Sequence, residues 1–175
     1  MTLKVSIVPV GEPLQATAEA LLRRLEESDL RADCTLCPRI SAASEAYNPS
    51  RNQYWSTVLL YQLRVLAREL DGKVLGMTEL DLYVPKLNFV FGEALYHENV
   101  AIISTYRLRP ILYGGGSEEI FLARVTKEAV HELGHTLGLP HCAERRCVMR
   151  FSNSVADTDE KSERFCEYCR KRLQV

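Results

Sequence analysis

His131, Glu132 and His135 form an HExxH segment, followed at fixed spacing by Gly138 and His141. The two histidines of the segment are four apart, a little over one turn of an α-helix, so both imidazoles leave the same face. Two such nitrogens can bind one Zn²⁺ at about 2.0–2.1 Å each. Glu132 lies about 100° further round that helix, where it reaches the ion's open position without occupying it. Two ligands hold a catalytic zinc poorly, and Gly138 supplies the route to a third. Glycine adopts the left-handed conformation that ends a helix and lets the chain turn sharply, which brings His141 back to the ion. Three protein ligands leave one position for water, as a catalytic zinc requires. Zinc lowers the pKa of that water to about 7. Glu132 can then take its proton as it attacks a polarised carbonyl, and pass the proton to the leaving amine. The chemistry expected is peptide hydrolysis, with His131, His135 and His141 as metal ligands and Glu132 as catalytic base. HExxH alone is also met as a hydrogen-bonded surface pair; the glycine and third histidine in register are what point to a metal. His97, flanked by Tyr96 and Glu98, reads as a loop residue.

The six cysteines fall in three pairs. Cys142 and Cys147 make a CxxxxC pair, Cys166 and Cys169 a CxxC pair, and 18 residues separate the two. Four thiolates at this spacing suit a closed tetrahedral zinc site that stabilises a fold. The alternative is two disulfides or free thiols, which a reducing compartment disfavours. Cys34 and Cys37 form a third CxxC with no pair left to complete a site. They read as thiols, open to oxidation together, with no function assigned.

The 175-residue chain has 46% apolar and 26% charged residues and a net charge of −1, with a pI near 6.4. It is long enough for a real core and fits one domain. Near-neutral charge gives no electrostatic basis for nucleic-acid or membrane binding. No apolar run approaches the ~20 residues of a membrane span. Residues 1–10 carry one lysine and a short apolar run, which reads as a first strand and not a secretory leader. The expected localisation is cytoplasmic.

These residues need elements to position them. Leu3 to Val8 reads as a strand, closed by a turn with Pro9, Gly11 and Pro13. Leu14 to Glu27 has the periodicity of an amphipathic helix. Arg31 to Cys37 reads as a strand, and Ser41 to Pro49 as a polar loop. Arg51 to Leu70 reads as a second helix stopped by Asp71-Gly72. Strand-like runs follow at Lys73 to Tyr83, Asn88 to Leu95 and Asn99 to Arg107. After Gly114-Gly115-Gly116, Ser117 caps a helix with Glu118 and Glu119 in its first turn, which runs to about Leu137 and stops at Gly138. The order predicts an α/β fold, a sheet layered with helices. Beyond Leu139 the chain is poor in aliphatic residues and rich in cysteine and charge. Residues 139–175 are read as a metal-stapled subregion of a single catalytic domain spanning 1–175.

The sequence resembles the archaemetzincins, zinc peptidases of the metzincin clan. The resemblance rests on HELGHTLGLPHC, on Cys147-Val148-Met149 and on Cys166-Glu167-Tyr168-Cys169, and is close over residues 131–169. It implies a catalytic zinc on His131, His135 and His141, Glu132 as general base and acid, and a structural zinc on Cys142, Cys147, Cys166 and Cys169, two zinc ions per chain. It also implies that Met149 is the methionine of a turn beneath the metal. Bottom-up, Met149 is an ordinary packing residue. The implied architecture is a mostly parallel twisted sheet over a cleft, with one antiparallel strand on its upper rim to which a peptide adds as a strand. Residues 88–95 or 100–107 supply that strand. Similar proteins suggest aminopeptidase action.

Two other readings compete. One is a catalytically silent zinc protein that binds a peptide or partner, motivated by Cys142 directly after His141. The other is a nucleic-acid-binding zinc module resting on the cysteine-rich tail. Acidic residues interleave its arginines and lysines, so no nucleic-acid partner is expected. The expected partner is a peptide or protein substrate, with no membrane.

Overall fold

Val5 and Ile7 leave one face of the first strand, Val8 and Val10 the other, and all four are buried. A strand apolar on both faces belongs inside a parallel sheet covered on both sides. The computed structural model describes residues 2–12 and 14–173, so Pro13 of the expected turn lies outside the described residues. In chain order the elements are β1 (Lys4–Val10), α1 (Gln15–Glu27), β2 (Asp33–Leu36), β3 (Tyr47–Asn48), β4 (Gln53–Trp55), α2 (Ser56–Leu66), β5 (Lys73–Thr78), β6 (Leu82–Tyr83), β7 (Gly92–Ala94), β8 (Val100–Ser104), α3 (Glu118–Thr136), α4 (Val155–Glu160) and α5 (Glu167–Leu173).

The main sheet has the order β2-β1-β5-β8-β7. Its first four strands are parallel, and β7 lies antiparallel on β8 at the edge. A small sheet, β3-β4-β6, stands apart from it. Ile7, Leu75, Met77 and Ile103 meet α1 and α3 on one face of the main sheet. Val8, Val74 and Ile102 meet Leu59, Leu60 and Leu63 of α2 on the other. The result is the expected α/β fold, a mixed sheet between helices. Cys147, Val148, Met149, Phe165 and Cys169 from the chain beyond Leu139 join the α1–α3 side of the core. No helix among the described residues is long and apolar enough to cross a membrane.

Several elements differ from expectation. The helix expected from Arg51 starts at Ser56, because Gln53–Trp55 pairs with Tyr47–Asn48 and Leu82–Tyr83 instead. Asn52 sits at φ 52° and breaks the helical path before it. The run from Lys73 to Tyr83 is split between two sheets, and the loop from Ser41 to Pro49 contains a 3₁₀ turn and β3. Of the two candidates for the rim strand, the run 88–95 supplies it, and only Gly92–Ala94 is regular. The residues Cys34 and Cys37 pack toward different cores, on opposite faces of the sheet. An odd spacing along and just past β2 points the two side chains to opposite faces, and both cysteines are free thiols, as read from the sequence.

Candidate metal centres

α3 begins where Ser117 accepts a hydrogen bond from the Ile120 amide at 3.2 Å, with Glu118 and Glu119 in the first turn. It ends at the residue the motif requires. Gly138 adopts φ +86°, and the amides of Gly138 and Leu139 donate back to the carbonyls of His135 and Gly134, each at 3.0 Å. That left-handed close satisfies the last carbonyls of the helix and reverses the chain, carrying His141 to the face that bears His131 and His135. Candidate ligand atoms of the three imidazoles all lie within 4.8 Å of one another.

The rings are aimed by hydrogen bonds from behind. His131 Nδ1 lies 2.8 Å from the Val148 carbonyl oxygen, and His135 Nδ1 lies 2.7 Å from that of Leu139. A carbonyl only accepts, so both Nδ1 atoms carry the proton and each neutral ring leaves its Nε2 lone pair free. Those two Nε2 atoms stand 3.1 Å apart. Two lone pairs converging at that distance suit a shared cation, and the three-imidazole donor set fits zinc. Burial lowers the pKa of all three imidazoles, that of His131 most, which keeps them in the neutral form that binds metal.

Glu132 is buried beside them, and burial pushes its carboxyl well above the usual range, with Glu128 adding to the rise. It opens on a cleft of about 340 Å³ lined on one side by residues 87–94 and on the other by Glu128, the histidines and Phe151–Asn153. Met149 is fully buried and packs its sulfur against Gly134, between the two helical histidines; a Cβ at Gly134 would collide with it. His97 is a loop residue as expected, at φ 60°. Its ring covers Gly138 so closely that a Cβ there would collide with it, and its amide donates to the His135 carbonyl at 3.3 Å.

The four cysteines form a second cluster. Cys142 and Cys166 sulfurs are 3.7 Å apart, those of Cys147 and Cys169 3.8 Å, and all four lie within 4.8 Å. Thiolates held tetrahedrally at about 2.3 Å from zinc would stand about 3.8 Å apart. Backbone amides of Glu144 and Cys166 point at the sulfurs of Cys142 and Cys147. This donor set fits zinc. The Cys142 amide also bonds the Met149 carbonyl at 3.0 Å, so this cluster and the turn under the histidines share a backbone.

Sequence reasoning missed a buried ion pair next to the histidines. Lys161 is 0% exposed on its side chain, and its Nζ lies 3.0 Å from Glu128 Oε1; it also donates to the Arg150 carbonyl at 3.3 Å. Thr158 Oγ1 donates to the same Glu128 oxygen at 3.1 Å. Glu128 was legible, because it lies three before His131 and four before Glu132, on the same helical side. Lys161 carries no local signal. It is one of several lysines and arginines in a charged tail.

A family model described as Peptidase family M54 matches residues 25–175. Archaemetzincin of Methanocaldococcus jannaschii is 42% identical over 175 residues, 99% of this chain and 94% of that protein. Archaemetzincin of Pyrococcus furiosus is 40% identical over 174 residues, 96% of this chain and 91% of that one. Among solved structures, archaemetzincin of Archaeoglobus fulgidus superposes with a TM-score of 0.83 at 39% identity, covering 97% of this chain and 99% of that chain. A zinc-dependent peptidase of Methanocorpusculum labreanum gives 0.87 at 27% identity over 97% of this chain and 99% of its own.

Proposed function

The chain belongs to peptidase family M54, the family of the archaemetzincins, and on that premise we propose that it cleaves peptide bonds with His131, His135 and His141 as the catalytic metal ligands and Glu132 as base. As a zinc metallopeptidase it acts on peptides or proteins. The observation that carries the residue assignment is the facing pair of Nε2 atoms, 3.1 Å apart and each fixed by a carbonyl behind it. Zinc bound there would supply a Lewis acid for a substrate carbonyl and for an attacking water.

The chain's own residues do the rest. Glu132 takes the proton of the attacking water and returns it to the leaving amine. It adjoins His131 on the same helix and lines the cleft, which suits a group that must hold the proton between two steps. β7, half-buried at the sheet edge, offers main-chain groups to an extended substrate. Apolar walls from Phe89, Phe91 and Phe151 help exclude water. Cys142, Cys147, Cys166 and Cys169 would hold a second zinc whose role is to staple residues 142–169. The total is two zinc ions per chain.

The finer reading is removal of amino-terminal residues, in line with the resemblance. Zinc-loaded protein given a peptide series with free and acetylated amino termini tests both levels. Cleavage abolished in Glu132→Gln, with zinc retained, supports the assigned base. Equal cleavage of free and blocked peptides removes the aminopeptidase reading.

A further inference from the structure

The cleft has a direction. Gly92 faces Glu132, and five residues later the His97 amide reaches the His135 carbonyl. The edge segment therefore runs the same way as α3, and residues 87–91 lie toward Glu128. A peptide adding to β7 in the antiparallel sense runs the other way, from the His135 end to the Glu128 end. The residue that follows the scissile bond then sits on the Glu128 side of the metal ligands.

That side has a distinct chemistry. The residues lining the cleft include three carboxylates, Glu93, Glu128 and Glu132, and no lysine or arginine. Glu93 is engaged at the start of α2 by the hydroxyls of Ser56 and Thr57. Glu132 is the proposed base. Glu128 remains, anchored by Lys161 and Thr158 from outside the cleft. Ser152 lines the same cleft with an Oγ that is buried and has no hydrogen-bond partner among the described residues. A buried hydroxyl without a partner costs free energy until something supplies one. The walls, from Phe89 and Phe151, suit an aliphatic stem.

We propose that this pocket reads the side chain following the scissile bond and takes side chains ending in N–H donors, namely glutamine, lysine and arginine, with Glu128 as the specificity-determining residue. It rests on the peptidase reading above. An apolar stem packs on the phenylalanines, and the terminal N–H groups donate to Glu128 and Ser152. An acidic side chain would meet the Glu128 carboxylate and is rejected. Lys161 and Thr158 are positioning residues. They fix the Glu128 carboxylate, and Lys161 neutralises it without itself reaching the substrate.

The test is a set of peptides identical except at that position, with Gln, Lys, Arg, Leu or Glu. Turnover is read on the zinc-loaded wild type, and affinity on zinc-loaded Glu132→Gln by fluorescence competition. Peptides with Gln, Lys or Arg should lead Glu by about tenfold or more in both assays, with Leu between. In the double variant Glu128→Gln/Lys161→Met, which removes both buried charges together, the Lys-to-Glu ratio should collapse toward one. Ser152→Ala keeps the charges and should lower the Gln peptide relative to the Leu peptide. A flat affinity ranking, or Leu ranked first, overturns the pocket. So does a Lys-to-Glu ratio unchanged in the double variant. Absent turnover with the affinity ranking intact would retire the peptidase reading and leave the pocket standing.

Discussion

Gly92 on the edge strand and Glu132 on the helix occupy one space: a Cβ on Gly92 would lie 2.7 Å from Glu132 Cγ and 2.8 Å from its Oε1. The absence of a side chain on β7 is what lets the proposed base stand against the strand that would hold substrate. Gly92→Ala must push Glu132 aside. A shift of about 1 Å in a catalytic group can cost on the order of a hundredfold in rate. The expected outcome is a large fall in kcat with zinc content unchanged, measured by steady-state kinetics and elemental analysis.

Gly138→Ala attacks the same centre through the backbone. Gly138 has φ +86° and lies under the His97 ring, so alanine is strained there and also displaces His97. The reversal that delivers His141 would shift. Zinc should bind more weakly at the histidine site, while the cysteine site keeps its ion. Titration with a chelator, followed by zinc counting, separates the two losses; equal loss from both sites would contradict this reading.

Removing Glu128 alone leaves Lys161 buried and uncompensated. Breaking one side of such a pair destabilises a fold by about 3–5 kcal/mol, whereas replacing both partners by apolar or neutral groups of similar volume can be neutral. Glu128→Gln should therefore be markedly less stable than Glu128→Gln/Lys161→Met. Urea unfolding of both variants beside wild type gives the comparison directly. The same pair ties α3 to the Arg150 carbonyl, so the single variant should also loosen the turn that carries Met149.

The cysteine cluster is expected to act on stability before activity. Cys169 is buried within it, and Cys169→Ser should cost one zinc per chain and lower the melting temperature. The Cys142 amide is hydrogen-bonded to Met149, so turnover should fall as well, as the turn beneath the histidines relaxes. Melting temperature that stays at the wild-type value in the variant would argue against a stapling role.

Cys34 should be chemically silent. Burial, together with the nearby Glu26 and Asp33 carboxylates, pushes its thiol up to about 12. The thiolate is the reactive form, so iodoacetamide at pH 8 should leave Cys34 unmodified in the folded chain and label it after unfolding, as peptide mapping would read. The linkage sign follows from the same shift. Above the ordinary thiol pKa the unfolded chain loses this proton and the folded chain keeps it, so stability falls as pH rises from about 9 toward 12.

The sequence by itself determined the candidate histidine site, because a helix places positions four apart on one side and only glycine ends it with the reversal that reaches His141. It also determined the α/β layering and the grouping of four cysteines, since helical and strand periodicities and ligand spacings are local patterns. Tertiary structure alone decided what surrounds that site. Gly92 faces Glu132 because β7 pairs with β8. Lys161 reaches Glu128 across 33 positions because α4 folds back onto α3, and Cys34 on β2 and Cys37 just past its end part because each packs toward a different core. These contacts join residues far apart in the chain, and their identities carry no period that a local reading could detect.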